Sequence, residues 1–122
     1  MAQTLRVILL TGNAESAPEL RRAATSLPSV RIVAELDEPS LIGQAFTQFP
    51  CDLIIADLDP SAPVVLECLR QLKEAAPQLP IFALSKCTEG DIVLKAMKAG
   101  VREFFVKPLN LEEFHEALEK LL

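Results

Sequence analysis

The sequence predicts an α/β domain: an open parallel sheet of five strands with helices on both faces. Three observations carry this. Five short apolar runs alternate with five stretches whose apolar residues recur at i, i+3, i+4 and i+7. Four of the five runs are continuous rather than alternating, the pattern of strands covered on both faces. Each strand-plus-helix unit takes roughly 20–25 residues, enough for a right-handed crossover to a parallel neighbour.

The first run, 5–10, is followed by a helical stripe of Leu20, Ala23, Ala24 and Leu27, bracketed by Pro18 and Pro28. Run 30–36 alternates in part, as an edge strand would, and leads past Pro39 to Ile42, Ala45, Phe46 and Phe49, with Pro50 as the stop. Run 53–58 precedes Pro63 and the stripe Val65, Cys68, Leu69 and Leu72, closed by Pro77. Pro80 introduces run 81–84, followed by Val93, Ala96, Met97 and Gly100, the glycine standing where a helix stop belongs. Run 104–106 leads to Leu111, Phe114, His115 and Leu118, opened by Asn110 with Glu113 three residues on, a capping-box pattern. Met97 and Phe114 read as core, and His115, alone on an apolar stripe, as a half-buried structural residue.

Composition sets the limits. The chain has 122 residues, and with no repeat or linker dividing them, 1–122 reads as a single domain. Half the residues are hydrophobic and 24% charged, ordinary globular usage. A net charge of −5 argues against nucleic acid as a partner. No apolar run approaches the ~18 residues that span a bilayer, and the first six residues, Met1 to Arg6, lack the pattern of an export leader. Cys51, Cys68 and Cys87 have neither disulfide-framework nor zinc spacing, so a cytoplasmic chain with reduced thiols is expected. There is no Trp and no Tyr.

In such sheets ligands bind beyond the carboxyl ends of the strands. The residues there are Thr11-Gly12-Asn13, Asp37-Glu38, Asp57 to Pro60, Ser85-Lys86-Cys87 and Lys107-Pro108. One carboxylate, Asp57, one hydroxyl, Ser85, and one ammonium, Lys107, thus arrive at one edge from three strands. A buried aspartate needs a counter-ion, and Lys107 supplies it. The plain reading is an ion pair that tolerates Asp57. The chemical one makes Asp57 a nucleophile toward phosphorus, with Lys107 and Ser85 meeting the charge on the transferred group.

Three segments, 52–58, 79–85 and 96–108, in this order and spacing, resemble the receiver domain of two-component response regulators over essentially the whole chain. The resemblance implies the doubly wound, CheY-like and flavodoxin-like sheet with strand order 2-1-3-4-5. It implies that Asp57 is the phosphoacceptor, Ser85 and Phe104 the switch residues, Lys107 the conserved lysine, and Lys107–Pro108 a cis peptide. It further implies a signalling protein rather than an enzyme. A histidine kinase or phosphotransfer protein would be its donor, and phosphorylation would shift the population of two states. The fourth helix, fifth strand and last helix, carrying Lys95, Lys98 and Arg102 against Glu103, Glu112, Glu113 and Glu116, would form the face for a protein partner or a second copy.

The sequence departs from the family pattern where Mg²⁺ is normally held. Receivers end the first strand with an acidic pair; here Thr11-Gly12-Asn13 stands instead. Asp57, the Asp59 carbonyl and Asn13 would be left to form a weak or absent Mg²⁺ site. At ~2 kcal/mol per missing carboxylate, affinity falls roughly thirtyfold for each. Asp59-Pro60-Ser61-Ala62-Pro63 and Lys86 are also off pattern, which introduces a phosphorylation-independent pseudo-receiver as the alternative. Leu58-Asp59-Pro60 together with 100–105 is similar to the receiver-like N-terminal domain of CpaE/TadZ pilus-assembly proteins, a family in which this domain is associated with localisation and assembly. A third reading, a small flavin- or nucleotide-binding protein, lacks an aromatic ring of the Trp or Tyr type to stack on a flavin.

Overall fold

Residues 4–87 and 89–122 are described in the computed structural model of the chain. Met1, Ala2 and Gln3, on which the leader reading partly rests, lie outside the described residues. Strands and helices alternate as expected: β1 (Leu5–Thr11), α1 (Ala17–Thr25), β2 (Val30–Leu36), α2 (Ile42–Gln48), β3 (Leu53–Asp57), α3 (Ala62–Ala75), β4 (Ile81–Ser85), α4 (Gly90–Lys98), β5 (Glu103–Val106) and α5 (Leu111–Glu119). A 3₁₀ turn, Pro39–Leu41, leads into α2. The sheet is parallel with order β2-β1-β3-β4-β5.

The sheet is buried on both sides because its central strands are apolar through most of their length, with polar Thr11, Asp57 and Ser85 at their carboxyl ends. β3 and β4 are buried from end to end. Side chains from alternate positions feed two cores. Ile8, Leu10, Ile54 and Ile81 face α2, α3 and α4. Val7, Leu9, Ile55 and Phe82 face α1 and α5. On that second side Phe82, Phe105 and Phe114 meet edge to face, with ring centroids 5.2–6.3 Å apart.

Helix ends follow local chemistry. Asn110 Oδ1 accepts the Glu113 N–H at 3.1 Å, capping α5. At the end of α4, Gly100 has φ +98°. Its N–H donates to Met97 O, and the Val101 N–H to Ala96 O, both at 3.1 Å. This is a Schellman turn, and the left-handed residue it needs is the glycine.

Three stripe positions are not core. Met97 is 45% exposed, because the buried line of α4 runs through Ile92, Ala96 and Ala99, leaving Met97 on the outward side. Phe49 is exposed because α2 ends at Gln48 and Phe49 is already extended. Leu111, the first residue of α5, is exposed, since the buried face of that helix starts at Phe114. β5 is an edge strand, like β2, and leaves Val106 exposed rather than covered on both faces. His115 is half-buried, and its Nε2 shares a hydrogen bond with Ser26 Oγ.

Candidate functional site

Parallel register brings the candidate residues to one edge. Asp57 is the last residue of β3, opposite Thr11 on one side and Leu84 on the other. Ser85 ends β4, and Lys107 follows β5. The Lys107 N–H donates to Ser85 O at 3.0 Å, which places the two side chains over the same end of the sheet. The Lys107–Pro108 peptide is cis, and so is Asp59–Pro60.

Asp57 and Ser85 are completely buried. Both oxygens of the Asp57 carboxylate are engaged. Lys107 Nζ lies 2.7 Å from Oδ1 and from Oδ2. Oδ1 also accepts the Asp59 N–H at 2.9 Å, and Oδ2 accepts the Ser16 hydroxyl at 2.8 Å. The two carboxylate oxygens thereby receive four short contacts, which offset the hydration lost on burial.

Ser85 does not bond to Asp57. Its hydroxyl donates to Asp59 Oδ1 at 2.7 Å and accepts the Cys87 N–H at 3.0 Å. The other oxygen of Asp59 takes the Lys86 N–H at 2.9 Å and lies 3.1 Å from Lys107 Nζ. Partial burial pushes the Asp59 carboxyl upward. The Lys86 N–H, the Ser85 hydroxyl and Lys107 outweigh it and hold the group below the usual aspartate value. The cluster therefore sets two carboxylates around one ammonium, and backbone and hydroxyl donors balance the excess.

The residues proposed for Mg²⁺ do not fit it in this arrangement. Asn13 Oδ1 accepts the Glu15 N–H at 3.0 Å, in a turn that opens α1. The Asp59 carbonyl faces Gly12, while its carboxylate turns the other way, toward Ser85. Lys107 covers both oxygens of Asp57. Among the described residues no group of three or more His, Cys, Asp or Glu side chains could hold a metal ion.

Two members of the cluster go unflagged in the sequence reading, Ser16 and the Asp59 carboxylate. Ser16 stands just before α1, whose first turn must lie over the carboxyl end of β1, so its position beside Pro18 was the available signal. The sequence offers Asp59 for its carbonyl alone; nothing in the local sequence shows that the chain turns its side chain inward. Beside the cluster a groove of about 520 Å³ runs between Ser16, Glu19, Leu84, Lys86, Lys107 and Leu109. Phe104, opposite Ala83 on β5, is half-buried against the core shared with α3 and α4.

The sequence profile of the response regulator receiver domain matches residues 18–119. Among curated proteins the chain is 31% identical over 72 residues to the transcriptional regulatory protein ZraR of Salmonella typhimurium, covering 59% of this chain and 15% of that protein. It is 36% identical over 72 residues to the response regulator protein TodT of Pseudomonas putida, covering 59% of this chain and 32% of that one. The chain thus spans less than a third of the length of either relative. Among solved structures, a protein assigned to pilus assembly (CpaE) from Burkholderia thailandensis superposes with a TM-score of 0.83 at 21% identity, over 97% of this chain and 98% of that one. That likeness shows the shared fold.

Proposed function

The chain belongs to the response regulator receiver domain family, and from that premise we propose that it works in phosphorelay signalling with Asp57 as the phosphoacceptor. The observation that carries the proposal is a fully buried carboxylate with Lys107 Nζ 2.7 Å from both its oxygens, beneath Ser16 and Lys107, which line the neighbouring groove. In the reaction an Asp57 oxygen forms a bond to phosphorus as the P–N bond of a donor phosphohistidine breaks. The imidazole nitrogen leaves with the electron pair, and Lys107 meets the charge that develops on the phosphoryl oxygens. The domain serves as acceptor and switch, and the donor, a histidine kinase or phosphotransfer protein, belongs to the cytoplasm. Output passes through α4, β5 and α5, where Leu94, Met97, Val106 and Leu111 are exposed.

Incubation with a small phosphodonor, followed by intact-mass measurement, tests this. One phosphoryl adduct on the wild type and none on Asp57→Asn is the expected result. An adduct that persists on Asp57→Asn would reject Asp57 as the acceptor. A second reading, a pseudo-receiver used for contact or localisation, is favoured by the engagement of both Asp57 oxygens and the misfit of the Mg²⁺ residues. It requires that no adduct form on the wild type.

A further inference from the structure

A phosphoryl group on Asp57 would carry roughly two negative charges on three oxygens. It would need N–H and O–H donors close to Lys107, the cation that already touches Asp57. Such donors exist and converge: Ser85 Oγ, the Lys86 N–H and Lys107 Nζ lie 2.7, 2.9 and 3.1 Å from the oxygens of one group. That group is the Asp59 carboxylate. Its own backbone N–H is tied to Asp57 Oδ1 at 2.9 Å, so the side chain is clamped two residues from the nucleophile. The Ser85 hydroxyl is fixed at both ends, accepting from the Cys87 N–H and donating to Asp59. An anion seat adjoining Asp57 is therefore already filled from within the chain.

We propose that the Asp59 carboxylate is a resident stand-in for the phosphoryl group, holding Ser85 turned into the pocket while Asp57 is unmodified. This rests on the receiver reading and deepens it. Two consequences follow. The unmodified domain sits with its hydroxyl switch already drawn in, and any phosphoryl group arriving at Asp57 must first displace Asp59. Tethered two residues away, the carboxylate competes at an effective concentration on the order of millimolar or more.

The test compares the wild type with Asp59→Ala by amide and aromatic NMR, before and during titration with beryllium fluoride in Mg²⁺-containing buffer. In the anion-free proteins, Asp59→Ala should displace the signals of Ser85, Lys86 and Phe104. Beryllium fluoride should then return them toward their wild-type positions, at a concentration about tenfold below that needed to perturb the wild type. Asp59→Asn keeps one acceptor oxygen where Ser85 and the Lys86 N–H now use two different ones, and should give a smaller displacement. It carries the same comparison if Asp59→Ala loses its dispersed spectrum. Unchanged Ser85 and Phe104 signals in the anion-free variants would overturn the proposal. An equal response of the wild type and Asp59→Ala to beryllium fluoride would overturn the stand-in alone, and no response from either would overturn it together with phosphorylation of Asp57, since no anion would then enter the seat.

Discussion

At the residue scale, the pair to weigh is Asp57 with Lys107. A buried pair adds little over a well-packed apolar replacement, but removing one partner strands the other. Lys107→Met should therefore lower stability by roughly 3 kcal/mol in urea unfolding, since the fully buried Asp57 keeps only neutral donors. Adding Asp57→Asn to that variant should restore part of the loss. If the double variant is no more stable than Lys107→Met alone, the destabilisation does not come from a stranded charge. Asp57, Ser85 and Lys107 could be read from the sequence because each ends or follows an apolar run, and parallel strands bring those ends together. The Asp59 side chain could not. Which way a loop carboxylate turns depends on donors from β4 and β5, residues distant in sequence.

At the element scale, strand limits were legible to within a residue, and helix faces were less so. Apolar continuity marks a strand directly, whereas the buried side of α4 depends on where its last turn is pinned. Gly100 does that pinning. A Cβ built on it would lie 2.7 Å from Lys73 Cγ, and its φ of +98° disfavours any side chain. Gly100→Ala should cost about 1–2 kcal/mol in thermal or urea unfolding. If adding Lys73→Ala abolishes that cost, the collision rather than the backbone angle sets it. Two ion pairs tie elements at the β2–β1–β3 side: Arg21–Glu35 between α1 and β2, and Arg6–Asp52 ahead of β3. The hydrogen bonds from Arg21 and Arg6 hold the Glu35 and Asp52 carboxyls below their ordinary values. The unfolded chain therefore takes up more protons in acid. The contribution is complete above the unfolded values near pH ~4 and is lost as pH falls through the lower folded ones. Glu35→Gln should flatten that acid limb; an unchanged pH profile would exclude Glu35 from it.

At the scale of the whole molecule, the sheet order and its two cores followed from the alternation of elements and from the family resemblance together; periodicity alone sets no strand order. The outward side was harder to foresee, because Met97 and Leu111 look like core in a stripe. Their exposure beside Leu94 and Val106 gives the α4-β5-α5 side an apolar character that the charged residues of the sequence did not announce. Met97→Glu should abolish self-association or partner capture in sedimentation and pull-down measurements, with stability changed by less than about 0.5 kcal/mol. Retained association would move the interface elsewhere. The contact of Phe82, Phe105 and Phe114 has a separate, optical consequence. With no Trp or Tyr in the chain, near-ultraviolet dichroism arises mainly from six phenylalanines, and the three held rigidly together all lie on the α1/α5 side of the sheet. Loss of that fine structure on heating would report the melting of one side of the sheet, the side opposite Phe104.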